Sequence, residues 1–83
     1  MRHNQLLTYE EIRDEAAQAI ASYPGTQTDL ASEMGYTRAY ISRAKTEVGP
    51  RIAKVQAEII ARLTPYDLRE EVEVRFRAVR RDS

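Results

Sequence analysis

The chain has 83 residues, with 13 basic and 13 acidic side chains and no cysteine, which allows one small domain and excludes a second. Without cysteine there is no disulfide framework or thiolate metal site, and zero net charge excludes a uniformly basic nucleic-acid coat and a polybasic membrane anchor. Because the sequence lacks the roughly 18 to 20 consecutive apolar residues of a membrane span and opens with no signal-peptide pattern, we expect a soluble cytoplasmic protein without a membrane partner.

The first predicted helix begins after Thr8 and covers residues 9–22. Thr8 and Glu11 have the spacing of a capping box, in which each side chain accepts a hydrogen bond from the other residue's backbone N-H. The apolar residues then recur every three or four positions, which predicts one buried stripe. Pro24 and Gly25 form a turn pair that ends the helix.

Two shorter helices are predicted next, with a glycine between them. Thr26 and Asp29 form a second, weaker capping box. The helix that follows ends at Gly35, because glycine readily adopts the left-handed conformation that closes a helix. Thr37 is the expected cap of a third helix, whose apolar positions continue to Val48.

The fourth predicted helix starts at Pro50, which suits a first helical turn, and ends near Leu63. Beyond it the pattern is ambiguous between helix and strand. A helix would leave Val74 exposed among charges, whereas a strand sets alternate apolar residues on one face. We therefore predict a helical turn over residues 66–69 and a strand over residues 71–80. The apolar face of that strand contains Val72, Val74, Phe76 and Ala78.

Residues 27–46 carry the pattern of a helix-turn-helix motif. Ala31 is small where two helices would cross, Gly35 supplies the turn four residues later, and Ile41 is an apolar wedge ten residues after Ala31. With the segment 40–43, Tyr-Ile-Ser-Arg, these positions resemble the helix-turn-helix of the Cro/repressor (XRE-like) family. The chain departs from that family at Tyr36, where a smaller aliphatic residue is usual.

The resemblance implies a mainly α, lambda-repressor-like or Cro-like domain of about four helices over residues 8–64. Residues 1–7 would form an N-terminal arm, and residues 65–83 a C-terminal dimerisation segment. A helical hairpin without DNA function remains the structural alternative, since glycine turns between helices are common.

Charge is segregated along the chain. Residues 1–25 carry two basic and four acidic side chains, residues 26–54 carry five and three, and residues 55–83 carry six of each. The positive excess therefore coincides with the motif, as attraction to phosphate requires.

Helical geometry assigns DNA-binding roles to the exposed side of the motif. Arg38 and Arg43 lie opposite the buried side of helix 3 and can each hold guanine O6 and N7 bidentately. Residues at the start of helix 2 are better placed for phosphate oxygens. Two roles are equally favoured for Tyr40: packing against helix 4, and contact with the DNA backbone. The predicted DNA-binding residues are Gln27, Thr28, Thr37, Arg38, Ala39, Tyr40, Ser42, Arg43, Lys45 and Thr46.

The C-terminal strand is the predicted dimer interface. A single strand appended to four helices leaves its backbone polar groups unpaired, so we expect the same segment of a second subunit to pair with it. Antiparallel pairing would set its glutamates opposite its arginines. Such a homodimer would hold two recognition helices about 34 Å apart for successive major grooves.

These features predict a homodimeric transcriptional repressor of phage, prophage or plasmid type that binds a double-stranded DNA operator. The alternative is an antitoxin or other interaction module whose C-terminal strand binds a toxin or another partner protein. A third alternative is the DNA-targeting fragment of a recombinase. An enzyme is not expected, because His3 lies in a terminus predicted to be frayed and the sequence has no glycine-rich phosphate loop or HExxH helix. No cofactor or metal is expected.

Overall fold

Four helices and a three-stranded antiparallel sheet form the structure, a computed structural model that describes residues 1–71 and 75–81. The elements in chain order are β1 (Leu6–Leu7), α1 (Tyr9–Ser22), α2 (Gln27–Met34), α3 (Arg38–Ala44), α4 (Pro50–Leu63), β2 (Tyr66–Glu71) and β3 (Arg75–Arg80). The mainly helical class predicted from the sequence is confirmed.

The helices begin where the local capping signals predict. Thr8 Oγ1 accepts from the Glu11 N-H at 3.2 Å, and a Glu11 carboxylate oxygen accepts from the Thr8 N-H at 2.9 Å. Thr26 and Asp29 exchange the same two bonds at 3.1 Å each. The hydrogen bond from the Thr26 backbone holds the pKa of Asp29 below its usual value. Both capping boxes are confirmed.

Helix α3 ends at Ala44, four residues earlier than predicted, and Val48 is 45% exposed. The helical periodicity of the apolar residues overestimated its length. Ala44 is the last buried residue of the helix, and the buried side chain of Gln56 on α4 donates to its carbonyl at 2.9 Å. A tertiary contact that periodicity cannot reveal thus fixes the end of α3.

The C-terminal region contains two antiparallel strands, so the predicted helical turn at 66–69 is wrong. The predicted strand over 71–80 is confirmed at 75–80, but Glu71 belongs to a separate strand that pairs with it. Strand β2 pairs antiparallel with β3, with Leu68 opposite Ala78. Phe76 and Ala78 are buried as predicted, but in the core of their own chain. Val72 and Val74 lie outside the described residues.

Strand β3 is the central strand of the sheet, in the order β1-β3-β2. On one side it pairs with β2, and on the other with β1, where Leu7 lies opposite Phe76. The N-H of Ala78 donates to Gln5 O at 3.0 Å, and Ala78 O accepts from the Asn4 N-H at 2.7 Å. Both edges of β3 are thus occupied within the chain, and the prediction that it needs a second subunit is wrong.

Residues 1–7 also differ from the frayed arm that the sequence suggested. Leu7 is 1% exposed and belongs to the core, and His3 Nδ1 accepts from the Arg80 N-H at 3.2 Å. Burial of one leucine and hydrogen bonds to β3 fix this segment on the sheet.

The interior has two clusters that share α4. One packs the C-terminal half of α1 against α2, α3 and the face of α4 that carries Ile52, Val55 and Ile59. The other packs β1, the first half of α1 and the sheet against the remaining core face of α4. The helix-turn-helix and the sheet therefore pack on different faces of α4. Among the helices of the described residues, none has the length and apolar character to cross a membrane.

Candidate nucleic-acid interface

The three residues that define the motif occupy the positions that the pattern requires. Ala31 and Ile41 are 3% and 0% exposed and belong to the same core cluster. Gly35 has φ 76° and ψ 24°, in the left-handed region. The next residue, Tyr36, donates its N-H to Ala31 O at 2.9 Å, which closes the turn between α2 and α3.

One side of α3 is buried and the other is exposed. Ile41 and Ala44 point into the core. Opposite them lies the recognition face, which we define as Arg38, Ala39, Ser42 and Arg43; all four are exposed. The structure therefore brings Arg38 and Arg43, which helical geometry assigned to base contacts, onto one surface with Ala39 and Ser42.

Arg43 is held by two neighbours. Its Nε and Nη2 donate to the two carboxylate oxygens of Glu47 at 2.6 and 3.1 Å, and its Cζ lies 5.3 Å from the Tyr40 ring centroid. The hydrogen bond that Arg43 donates to Glu47 raises the pKa of Arg43 and lowers the pKa of Glu47. This side-on pair leaves both Nη1 hydrogens and one Nη2 hydrogen for another acceptor.

Thr37 and Arg38 stand at the start of α3. The Thr37 oxygen accepts from the Tyr40 N-H at 3.1 Å, so its role in the structure is that of an N-cap. Arg38 is exposed, and its guanidinium makes no ion pair within the described part of the chain. All five N-H donors of Arg38 are therefore open to an external acceptor.

Tyr40 lies at the boundary between the recognition face and the core. It is half-buried against the helix-turn-helix core, and its ring meets that of Tyr36 edge to face, with centroids 5.3 Å apart. The Tyr36 hydroxyl donates to Glu58 on α4. The Tyr40 ring is thus packed against the core cluster and supplies the aromatic surface beneath Arg43; its contact with the DNA backbone stays a prediction.

The remaining predicted contact residues lie outside the recognition face. Gln27, Lys45 and Thr46 line one shallow depression beside α1. Gln27 is half-buried, and its carbonyl oxygen has no hydrogen-bond partner among the described residues. Thr28 is exposed at the start of α2. The Thr46 hydroxyl donates to Arg43 O at 3.4 Å.

The acidic residues of the motif region are occupied by donors of the chain itself. The Asp29 carboxylate accepts from the Thr26 N-H at 3.1 Å, Glu33 accepts from the Tyr23 hydroxyl at 2.7 Å, and Glu47 holds Arg43. The basic residues Arg38, Lys45, Arg51 and Lys54 have no ion pair within residues 1–71 and 75–81. The positive excess found in the sequence thus includes cations that are available to phosphate.

Gln56 supports the site and was missed in the sequence. It is 0% exposed, and its Nε2 donates to the carbonyls of Ala44 and Glu47 at 2.9 and 2.8 Å. These bonds join α4 to the end of α3 and to the loop that carries Glu47. A glutamine within the apolar stripe of α4, between Val55 and Ile59, is the signal that could have identified it.

The Tyr36 contact predicts a specific loss of stability at alkaline pH. The hydrogen bond to Glu58 raises the pKa of Tyr36 from 10.0 to about 12. Because the folded state holds this proton more tightly than the unfolded state, its contribution is complete below pH 10 and is lost as pH rises toward 12. Thermal unfolding across this range should show a steeper decline for the natural protein than for Tyr36→Phe. Equal slopes would contradict the assignment, and Tyr66→Phe provides a tyrosine control from the sheet.

Comparison with known proteins gives no match: no family model, no curated protein and no solved structure resembles the chain closely enough to be matched. The resemblance to the Cro/repressor family therefore depends on the residues of the motif themselves. Function has to be argued from the geometry and charge of α3 and its supports.

Proposed function

We propose that the protein is a sequence-specific, double-stranded DNA-binding transcriptional regulator of the Cro/repressor type. The principal support is the recognition face of α3, where Arg38 and Arg43 present open guanidinium donors opposite the buried Ile41. Two exposed arginines on one helix face, above a glycine turn that packs that helix against its neighbour, fit the major groove of B-DNA.

Each part of the recognition face has a role in this proposal. Arg38 and Arg43 contact guanine O6 and N7, and Arg43 uses the end of its guanidinium that Glu47 leaves open. Ala39 contacts a thymine methyl group and Ser42 a base edge. Thr28 and the first N-H groups of α2 contact a phosphate.

The regulator would act as a homodimer that occludes a promoter, since a two-fold symmetric protein matches two half-sites on the duplex. The rival interpretation is an antitoxin or interaction module that binds a partner protein through its last strand. Its sequence argument relied on an unpaired strand, and β3 is paired on both sides. Binding to random duplexes at several salt concentrations separates the two. A DNA-binding regulator binds such duplexes with an affinity that falls as salt rises, whereas an interaction module without DNA function shows no such affinity.

The test of this function is a selection from random duplexes, followed by affinity measurements on the selected site. Arg38→Ala and Arg43→Ala should each weaken binding to that site by about 1 to 3 kcal/mol and flatten the base preference at one position. Thr28→Ala should weaken all duplexes alike. Arg13→Ala, on α1, is the arginine control and should change neither quantity. Full affinity and specificity in both recognition-face variants would overturn the proposal.

Glu47 gives a sharper prediction, because it orients Arg43 without contacting DNA in this proposal. Glu47→Gln removes a negative charge, so affinity for random DNA should hold or rise. Discrimination at the base pair contacted by Arg43 should fall by about fivefold, since the guanidinium loses its charge-assisted bidentate partner. Glu33→Gln removes a carboxylate outside the recognition face and should leave discrimination intact. If Glu47→Gln kept full discrimination, Glu47 would have no positioning role.

A further inference from the structure

Strand β2 is an edge strand with a defined set of outward-facing backbone groups. The N-H of Arg81 donates to Pro65 O at 3.1 Å, and Tyr66 lies opposite Arg80. In an antiparallel ladder alternate residues pair with the neighbouring strand, so the odd-numbered residues of β2 pair with β3. The N-H and C=O groups of its even-numbered residues therefore point away from the sheet.

The two ends of this edge differ. The N-H of Tyr66 donates to Thr64 Oγ1 at 3.2 Å, and Tyr66 O accepts from Arg81 Nη1 at 3.1 Å. These contacts cover the first outward-facing residue. Leu68 is the next, and within the described part of the chain its N-H and C=O have no such cover. Leu68 thus presents one donor and one acceptor side by side at the centre of the strand.

The charges beside Leu68 determine what can pair there. Asp67 and Arg69 both point to the outer face of the sheet, on either side of Leu68, whose side chain packs toward the core. Arg69 has no ion pair within residues 1–71 and 75–81, and across the ladder it faces another cation, Arg77. Like charges opposite each other destabilise a sheet, so Arg69 lacks a favourable partner on β3.

A second copy of the same strand supplies that partner in one register. An antiparallel pair with its two-fold axis at Asp67 would place two aspartates opposite each other, and an axis at Arg69 would place two arginines opposite each other. An axis at Leu68 sets Asp67 of each copy opposite Arg69 of the other. It also lets the open N-H and C=O of Leu68 bond to those of the second Leu68.

We propose that two copies of the chain associate through β2, antiparallel about a two-fold axis at Leu68, to form a continuous six-stranded sheet. This deepens the homodimer of the proposed function by giving its interface. Because β2 packs on the core cluster that does not contain α3, the contact leaves both recognition faces uncovered.

Sedimentation equilibrium of the full chain without DNA tests the interface. The natural protein should show a concentration-dependent dimer. Asp67→Arg and Arg69→Asp should each raise the dissociation constant by about tenfold or more, because two symmetry-related attractions become repulsions. The double variant should restore it to within about threefold, since it exchanges the two charges and recreates both pairs. Leu6→Asp, on the other edge strand, is the control and should dimerise normally.

Several results would overturn the interface. If the natural protein stays monomeric, the proposed dimer is wrong and the β2 edge is open to a strand of a different protein. If Leu6→Asp fails to dimerise, the interface includes β1 or the outer face of the sheet, and the β2 interface is wrong. A double variant that melts as the natural protein does but is not rescued would mean that Asp67 and Arg69 do not face each other across a two-fold axis; the melting curve also reports any damage from losing the Asp67 ion pair with Arg81. Because the test contains no DNA, its failure leaves the DNA-binding proposal standing, and the reverse also holds.

Discussion

Replacing Gln56 with methionine is expected to lower the free energy of unfolding by about 2 kcal/mol or more. The two side chains have similar length and volume, so the change removes little packing. What it removes is a pair of donors, which leaves the carbonyls of Ala44 and Glu47 without the Gln56 hydrogen bonds at the end of α3. For a domain of this size the melting temperature should fall by about 10 °C.

Methionine at position 56 also removes one unfavourable feature of the natural protein, and this offsets part of the lost stability. The carbonyl oxygen of Gln56 is buried and has no partner among the described residues, so methionine relieves the desolvation of one polar atom while losing two hydrogen bonds. Gln56→Glu keeps the shape but replaces the donors with a carboxylate in a fully buried position, and should destabilise the protein more than methionine does.

Urea unfolding of the three proteins measures these differences. Gln18→Met, at an exposed position of α1, is the matched control and should change stability by less than about 0.5 kcal/mol. On the proposed function, Gln56→Met should also reduce DNA affinity at temperatures where it remains folded, because the loop that carries Glu47 loses its link to α4. A methionine variant as stable as the natural protein would show that Gln56 is only a space-filling residue.

The parts of the fold that the sequence predicted are those determined by local chemistry. Thr8, Thr26 and Thr37 cap the three helices that follow them because each capping bond joins residues three apart. The positions of Ala31, Gly35 and Ile41 were likewise predictable, since two short helices and one turn contain the whole pattern.

The missed parts depend on residues far apart in the chain. Strand β1 has only two residues, too few for a period to be visible, and it pairs with a strand about 70 residues later. Thr64 and Pro65 imitate a helix start, and the four residues 66–69 are too few to separate helical from alternating spacing. The sheet is therefore decided by tertiary pairing, which also removed the argument for a dimer through β3.

The candidate site shows the same division. Helical spacing predicts that Arg38 and Arg43 are exposed. It does not predict that Glu47 binds one side of the Arg43 guanidinium. The spacing of Arg43 and Glu47, four residues apart, was visible in the sequence. Because α3 ends at Ala44, that pair reaches from the helix into the following loop, and Gln56 on α4 holds the loop in place.

Replacement of Gly35 by valine is expected to destabilise the protein by about 2 to 3 kcal/mol, through the backbone alone. At φ 76° a side chain is strained, and a Cβ built there meets no atom within 4 Å, so steric exclusion by neighbours contributes nothing. Asparagine tolerates the left-handed region better than alanine does, although it is larger. The cost should therefore follow the order valine, alanine, asparagine, measured by urea unfolding. An order that follows side-chain size, with asparagine worse than alanine, would mean that space rather than conformation selects glycine between the two helices.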